Sequence, residues 1–438
     1  MIRAILTATA CLWAGIASAA VDIQEVTSEA GHAAWLVEEP SIPFVSLELR
    51  FEGGASLDPE GKRGAINLMT GLLEEGAGEM DARAFTAAQE GLAARFSYDV
   101  GDDSLSVSAR FLTENMDEAV ALLRKSLVDP RFDEDAIERV KAQVLASIQS
   151  DKTDPDVIAG ETFSRQVFGE HPYGSSIEGT PESLAGITRE DLFAARDAAL
   201  ATERAFIGAA GDISAEELGA LIDRLFADLP KEGPALPEDI TVQTEGKTEV
   251  VSFATPQSVA LFGHSGIDRD DPDFFAAFVM NQILGGGGFE ARLMTEVREK
   301  RGLTYGVYSY LADKNHAELM MGRVSSSNDR IAEAISVIRD EWRRMAEEGV
   351  TAEELEAAQT YLTGAYPLRF DGNGPIADIL VGMQMQGLSA DYVETRNDKV
   401  EAVTLEDIRR VAGRLLKPEE LYFVVVGEPE GLEATVTQ

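Results

Sequence analysis

The chain has 438 residues, 45% of them apolar, and 38 basic against 77 acidic residues give a formal net charge of −39. This length is typical of two domains of about 200 residues, each able to bury a sizeable core. Binding to nucleic acid requires basic patches, so the acidic balance argues against it. The same acidity favours solubility, and it could draw cationic peptides toward a cleft.

The first 20 residues have the parts of a secretory signal peptide. Arg3 precedes an apolar stretch at 4–16, and 17–20 is Ala-Ser-Ala-Ala, a small-residue cleavage site. The single cysteine, Cys11, lies inside this segment, so we expect a mature protein without disulfides. No later segment has the roughly 20 apolar residues of a membrane span, so we expect no membrane insertion. The expected location is the periplasm, with full secretion left open.

Apolar periodicity predicts both strands and helices in the first half. Apolar and polar residues alternate at 45–52 and 104–111, which predicts two half-buried strands. Helical spacing predicts a helix that begins near Thr113, another from about Asp133 to Ser150, and a third near 156–168. Alternation of this kind is typical of a mostly antiparallel sheet that is covered on one face.

Segments of the first half recur in the second half at one constant offset. Thr188-Arg-Glu-Asp-Leu recurs as Thr404-Leu-Glu-Asp-Ile (404 − 188 = 216), and the strand at 205–212 recurs at 421–428 with the same offset. An offset this long indicates a duplicated domain and not a short solenoid repeat. The proline-rich segment 229–237 is typical of a connector.

We therefore predict an α+β fold with two homologous domains related by internal duplication. Each domain is predicted to be a mostly antiparallel sheet with helices packed on one side. The predicted segments are a signal peptide at 1–20, an N-terminal domain at 21–229, a linker at 230–245 and a C-terminal domain at 246–438.

The segment from Gly64 to Gly76 has the apolar pattern of a helix that follows a Pro-Glu-Gly-Lys turn. Its frame resembles the active-site helix of the pitrilysin/insulinase family, the inverzincin metallopeptidases, whose signature is H-x-x-E-H. On that frame Asn67 and Gly71 occupy the histidine positions, and Thr70 occupies the position of the glutamate base. Zinc requires imidazole, thiolate or carboxylate ligands, and the attacking water requires a base. The resemblance therefore implies a family member that cannot cleave peptides by itself.

The family's third zinc ligand, a glutamate on a later helix, corresponds to Ser147 (147 − 71 = 76). No two histidines have the i, i+4 spacing that places both on one helix face; the histidines are His32, His171, His264 and His316. We therefore predict no metal site in this chain.

Three further polar residues near these positions are interpreted as structural. His171 begins the turn His171-Pro-Tyr-Gly, which resembles a turn found in the family after a helix. Glu74 and Glu75 are expected at the helix end, before Gly76 as a cap glycine, and not as a catalytic pair.

A glycine-rich segment and a basic helix stand out in the second half. Residues 284–309 contain Leu-Gly-Gly-Gly-Gly and then Val-Arg-Glu-Lys-Arg-Gly-Leu-Thr-Tyr. We predict a glycine-rich turn, a helix that ends at Gly302, and a strand that begins at Thr304.

This segment resembles the second-half signature of the same family. The resemblance places the family's substrate-gripping arginine and tyrosine at Arg298 and Tyr305 (305 − 298 = 7), where they hold the substrate main chain and help to stabilise the oxyanion. Arginine and tyrosine are suitable donors for that task. The structural alternative is a helix-end cation beside a common strand aromatic.

Two interpretations of the four glycines remain open. They are a flexible turn, or a mobile loop that contacts a peptide substrate, since glycine permits close approach of the backbone. A phosphate-binding loop is not supported, because neither a P-loop lysine nor Rossmann spacing follows. The residues are Gly285, Gly286, Gly287 and Gly288.

The resemblance implies a division of labour, since one half has lost the metal ligands and the other has kept the substrate grip. We predict the non-catalytic, substrate-binding subunit of an exported heterodimeric zinc metallopeptidase that acts on peptides. A homologous partner with H-x-x-E-H would supply the zinc and the base, and Arg298 and Tyr305 would grip the substrate.

Two other hypotheses stay open. The first is a catalytically inert peptide-binding or scaffold protein without a peptidase partner. The second is an autonomous zinc peptidase with relocated ligands.

Overall fold

A computed structural model describes residues 22–437, so the predicted signal peptide lies outside the described residues. The first half forms a six-stranded sheet in the order β1-β2-β8-β3-β7-β6, with a small β4-β5 hairpin. Its strands are β1 (Gln24–Thr27), β2 (Ala33–Glu38), β3 (Phe44–Glu52), β4 (Gly76–Ala77), β5 (Met80–Asp81), β6 (Arg95–Val100), β7 (Ser104–Leu112) and β8 (Ala205–Gly211). Its helices are α1 (Ala65–Leu72), α2 (Ala82–Gly91), α3 (Met116–Val128), α4 (Glu134–Asp151), α5 (Pro155–Phe168), α6 (Pro181–Ala185), α7 (Arg189–Ala199) and α8 (Ala215–Phe226).

The second half forms another six-stranded sheet, in the order β11-β12-β10-β13-β9-β14. Its strands are β9 (Thr248–Ser252), β10 (Gln257–Ser265), β11 (Val307–Lys314), β12 (Ala317–Ser327), β13 (Tyr422–Gly427) and β14 (Val436–Thr437). Its helices are α9 (Phe274–Asn281), α10 (Ile331–Glu348), α11 (Ala352–Ala365), α12 (Asn373–Met385), α13 (Tyr392–Glu401) and α14 (Leu405–Leu415). No helix within residues 22–437 is long and apolar enough to cross a bilayer.

The predicted α+β fold with two homologous sheet domains is confirmed. Strands pair antiparallel except for β2 with β8 in the first sheet, and β13 with β9 and β9 with β14 in the second. The repeated segments form equivalent elements. Thr188 and Thr404 each cap a helix through the same reciprocal capping box, with Asp191 and Asp407 as partners.

One face of each sheet carries the helices of its own half, which bury a separate apolar core. In the first half that core includes Leu47 and Phe51 of β3, Ile66 and Leu72 of α1, and Leu123 of α3. In the second half, Phe262 of β10 packs on Phe423 of β13 with ring centroids 4.9 Å apart. Between α8 and β9 the chain has no helix or strand.

The opposite face of each sheet is covered by a single helix that comes from the other half. Helix α5 lies on β10 and β13, where Phe163 stacks on Tyr422 with centroids 5.5 Å apart. Helix α12 lies on β8 and β3, at Gly208. The sequence prediction placed helices on one side only, because periodicity identifies an amphipathic helix but not the sheet that it covers.

A fully buried polar pair lies in the second core. His264 on β10 is 0% exposed, and its Nε2 accepts a hydrogen bond from Nε1 of Trp342 on α10 at 2.9 Å. Its Nδ1 lies 2.6 Å from the carbonyl oxygen of Ser265, which requires the proton to be on Nδ1. Burial lowers the pKa of His264 below its ordinary value of 6.5, so the imidazole is neutral in the folded protein.

We expect this histidine to make stability depend on pH. Below about pH 6.5 the unfolded chain binds a proton that the buried imidazole does not, so the free energy of unfolding falls as pH falls; above that pH the contribution is fully present. Urea unfolding between pH 7 and 5 should show a shallower pH dependence in His264→Gln than in the parent. His32→Gln, at a partly exposed histidine, is the control and should keep the parent slope. Equal slopes in His264→Gln and the parent would contradict the assignment.

We expect Gly208 to be required for the contact of α12 with the first sheet. A Cβ atom at this position would lie 2.5 Å from the carbonyl oxygen of Ala377 and 3.0 Å from Cβ of Leu380. Gly208→Ala should therefore lower the free energy of unfolding by about 1–3 kcal/mol and increase proteolysis within α12. Gly160→Ala on α5 is the control, because a Cβ there meets nothing within 4 Å, and it should be neutral or stabilising by up to about 1 kcal/mol. Similar stabilities for the two variants would show that α12 does not pack this closely.

Candidate functional site

Helix α1, which carries three of the four replaced positions, is held firmly at its start. The Asp58 carboxylate accepts hydrogen bonds from the backbone N–H groups of Gly64 and Ile66, both at 2.8 Å. Arg63 donates to the carbonyl oxygens of Ser176 at 3.0 Å and Pro172 at 3.2 Å. The segment after α5 is thus tied to the start of α1.

The replaced positions lie on two packed helices, α1 and α4. Gly71 lies against Val140 of α4, and Asn67 is one turn before Gly71 on the same face. Ser147 is seven residues after Val140, on the same face of α4. Thr70 is buried, and its hydroxyl donates to its own helix, to the carbonyl oxygen of Ile66 at 2.8 Å. The helices are therefore intact although the expected ligands are absent from their facing positions.

A carboxylate that the sequence analysis did not single out lies beside Ser147. Glu178 follows the His171 turn and lies close enough to the Ser147 side chain to interact with it. Burial raises the pKa of Glu178, and the nearby charges of Asp151 and Glu161 raise it further. These residues are distant in sequence, so spacing alone could not group them.

The residues at this place do not fit zinc. A neutral amide, a hydroxyl bonded to its own helix, a glycine and a serine stand where the family has its ligands and base. Within residues 22–437, no group of three or more His, Cys, Asp or Glu side chains is arranged to hold a metal ion. The first half therefore lacks both the metal site and the glutamate base that zinc-dependent peptide hydrolysis requires.

The neighbouring residues interpreted as structural have structural contacts. His171 Nδ1 accepts from the backbone N–H of Tyr173 at 3.2 Å and so caps the turn, and burial lowers the pKa of His171. Helix α1 ends at Leu72, so Glu74 and Glu75 lie in the following turn and not in the helix. Gly76 begins β4 with φ of 115° and does not directly cap the helix.

The glycine-rich region of the second half contains two segments with wide helical turns. Residues Gln282–Gly286 and Met294–Glu299 are both π-helical, and the next strand, β11, begins at Val307 and not at Thr304. A Cβ at Gly285 would lie 2.6 Å from the backbone nitrogen of Ser309, so only glycine lets the two segments meet. The helix predicted before Gly302 is present, but its turns are π-helical and not α-helical. π-Helical turns are rare, and they occur frequently at functional sites.

Arg298 lies in the second π-helical segment and is half-buried. Its guanidinium stacks over the Phe289 ring, 4.7 Å from the centroid. The nearby basic residues Lys300 and Arg301 both pair with Glu296, at 2.7 and 2.8 Å. Among the described residues Arg298 has no ion pair, so its charge is available to a ligand.

Tyr305 is 88% exposed, in the loop between the π-helical segment and β11. The loop is fixed by Thr304, whose hydroxyl donates to the carbonyl oxygen of Ser325 at 2.6 Å and accepts from the backbone N–H of Gly306 at 3.0 Å. The Tyr305 hydroxyl and ring are therefore accessible to a ligand on a loop of fixed conformation.

A cavity of about 790 Å³ lies between α9 and β11. Gly285, Gly286 and Gly288 line it, whereas Gly287 packs against Gln282. We name this space the glycine-loop cavity; its walls also include Phe289, Tyr308, Tyr310, Phe274 and Phe278. Arg298 and Tyr305 do not line the cavity, but they flank it through Phe289 and Gly306. The arrangement can bind an extended chain with apolar side chains, and it can donate hydrogen bonds at one end.

Comparisons with known proteins agree with these two halves. The description "Insulinase (Peptidase family M16)" matches residues 34–181, and "Peptidase M16 inactive domain" matches residues 186–362. "Non-peptidase homolog YmxG" of Helicobacter pylori is 26% identical over 428 residues, 97% of this chain and 98% of the relative. "Uncharacterized zinc protease YmxG" of Bacillus subtilis is 22% identical over 414 residues, covering 93% and 99%.

Solved structures share the fold. The crystal structure of a peptidase M16 inactive domain from Pseudomonas fluorescens has a TM-score of 0.88 and 29% identity, covering 95% of this chain and all of that one. A protease from Helicobacter pylori has a TM-score of 0.81 at 14% identity, covering 92% and 99%, which shows a common fold. The two family matches together span well over half of the chain. The chain therefore belongs to the M16 (insulinase) peptidase family, as an inactive member that lacks the residues for the catalytic zinc.

Proposed function

We propose that the protein is the non-catalytic, substrate-binding subunit of a heterodimeric zinc metallopeptidase that acts on peptides. The proposal includes export to the periplasm, which the signal-like segment 1–20 supports. The partner would be a homologous subunit with H-x-x-E-H, and it would hold the zinc and supply the glutamate base.

One observation carries the proposal, namely the contrast between the two halves. The first half keeps α1 and α4 in place while Asn67, Thr70, Gly71 and Ser147 offer no zinc site. The second half presents Arg298 without an ion pair among the described residues, and Tyr305 is almost fully exposed. A protein kept only as a scaffold does not need both groups accessible beside a cavity.

The proposed role of this pair is to bind and orient the substrate. Arg298 is a permanent donor with a planar fork, and Tyr305 is a neutral donor, so both can reach carbonyl oxygens of an extended peptide. Such donors accelerate hydrolysis when they meet the charge that develops on the scissile carbonyl oxygen. The strongly acidic surface favours the approach of cationic peptides.

We expect Arg298→Ala and Tyr305→Phe each to reduce turnover by the assembled enzyme about 100- to 1000-fold, as loss of an oxyanion donor does. Assembly with the partner, measured by size-exclusion chromatography, should be unchanged. Tyr361→Phe on α11 is the matched control, because Tyr361 is also well exposed, at 59%, and it should keep full turnover. If assembly fails in the Arg298 and Tyr305 variants, the pair is structural and not substrate-binding.

We also expect the mature protein, captured from its native extract, to bring down one stoichiometric partner of similar size. That partner should contain H-x-x-E-H and about one zinc ion per molecule, measured by mass spectrometry and metal analysis. Recovery of the chain alone, in an extract shown to contain such a homologue, would favour the peptide-binding scaffold. Zinc bound to the chain alone would instead favour the hypothesis of relocated ligands.

A further inference from the structure

A second cavity, of about 260 Å³, is lined by several arginines in an otherwise strongly acidic protein. It lies between α12 and the helices α9 and α13 of the second half, and we name it the arginine cavity. Its cationic side chains are Arg50, Arg269, Arg369 and Arg396. With 77 acidic and 38 basic residues in the chain, such a concentration of arginine is not expected from composition.

The deepest of these side chains is Arg396 on α13, which is only 7% exposed. Its Nη1 donates to the carbonyl oxygen of Leu362 at 2.8 Å and to Asn397 at 3.0 Å, and its guanidinium lies 4.5 Å from the Tyr366 ring centroid. Burial lowers the pKa of Arg396. In the described part of the chain it has no ion pair, although a buried cation without a counter-ion is costly.

Two more arginines are not neutralised by an ion pair within residues 22–437. Arg269 donates from Nη2 to the Tyr392 hydroxyl at 3.3 Å, and its Nε is buried without a partner. Arg369 is exposed at the rim. Arg269 makes no ion pair with Asp313 but interacts with it electrostatically, and Arg50 is already paired with Asp378 at 2.7 Å. The cavity therefore presents three guanidinium groups that have no ion pair within residues 22–437.

The arginine cavity adjoins the glycine-loop cavity. Arg269, Phe274, Phe278 and Gln386 line both of them. A peptide in the glycine-loop cavity can therefore extend into the arginine cavity past two phenylalanine rings. Arg396, Tyr366 and Tyr392 form the most buried part of the arginine cavity's wall, each less than a tenth exposed, so the end of a chain can be enclosed there.

We propose that the arginine cavity binds the free C-terminal carboxylate of a peptide whose preceding residues lie in the glycine-loop cavity. This inference rests on the proposed peptide-binding function and narrows its substrates to peptides that present a free C-terminus. Guanidinium forks match carboxylates, and the surrounding tyrosines supply further donors. Inorganic phosphate offers the same anionic chemistry, so it is the alternative occupant to be tested.

The test uses the mature protein and isothermal titration with three probes: the peptide N-acetyl-Ala-Ala-Leu-Phe with a free carboxylate, its C-terminal amide, and inorganic phosphate. We expect the free acid to bind at least about tenfold more tightly than the amide and than phosphate. The double variant Arg269→Gln with Arg369→Gln should remove most of the difference between acid and amide. Arg396 is left unchanged, because its bond to Leu362 supports the fold.

The control removes the same charge elsewhere, by Arg83→Gln with Arg409→Gln, two exposed arginines on α2 and α14. It should keep the parent preference for the free acid. Equal binding of acid and amide, absence of binding, or a preference that survives in the double variant would overturn the proposal. Phosphate binding as tight as that of the free acid would overturn the peptide assignment in favour of a free-anion site.

A further variant, Arg298→Ala, separates this proposal from the proposed function. If Arg298→Ala weakens the binding of acid and amide equally, and neither is preferred, the result supports substrate binding by Arg298 and contradicts carboxylate binding in the arginine cavity. If Arg298→Ala changes neither affinity and the free acid stays preferred, the result contradicts substrate binding by Arg298 and supports carboxylate binding in the arginine cavity. Both hold when Arg298→Ala weakens both peptides and the preference for the acid is retained.

Discussion

The reciprocal placement of α5 and α12 is the constraint on which the rest of the structure depends. Each sheet would otherwise expose an apolar face, and each is covered by a helix from the other half. Burial of such surface is worth roughly 25 cal/mol per Å², so the two halves are held together by the apolar clusters beneath α5 and α12. The arginine cavity follows from this placement, since α12 supplies one of its walls.

The first half shows that a helix can be retained after its chemistry is lost. Ile66, Leu68, Met69 and Leu72 of α1 are fully buried in the first core. Packing therefore preserves α1 independently of what its polar positions do. Thr70 fits this role, because its hydroxyl is satisfied by its own helix and needs no metal or substrate. The fold of this half is thus retained without the residues for the catalytic zinc.

Local patterns in the sequence were sufficient for much of the fold. Alternation predicted β3 and β7, helical spacing predicted α4 to within one residue at each end, and the segments that recur at Thr188 and Thr404 indicated a duplicated domain. Each of these predictions rests on a pattern that can be seen in the sequence itself.

What the sequence could not predict depends on contacts between distant residues. The first π-helical segment lies where Gly285 meets Ser309. Apolar spacing along the sequence does not distinguish π-helical turns from α-helical turns. Three other features likewise depend on contacts between separate segments. They are the packing of α5 and α12 on the sheet of the other half, the proximity of Glu178 to Ser147, and the arginine cavity with Arg269, Arg369 and Arg396. Arg298 and Tyr305 were found only through a family signature, and their exposure became known from the structure.

The mutual covering of the two sheets also has an evolutionary consequence. A gene for two independent domains can discard the copy that no longer performs its reaction. Here, deletion of the half that lost its ligands would remove α5 and leave Tyr422 and Val424 of the other sheet open to water. Folding of the second half therefore depends on the apolar residues of α5, whether or not the first half performs any reaction.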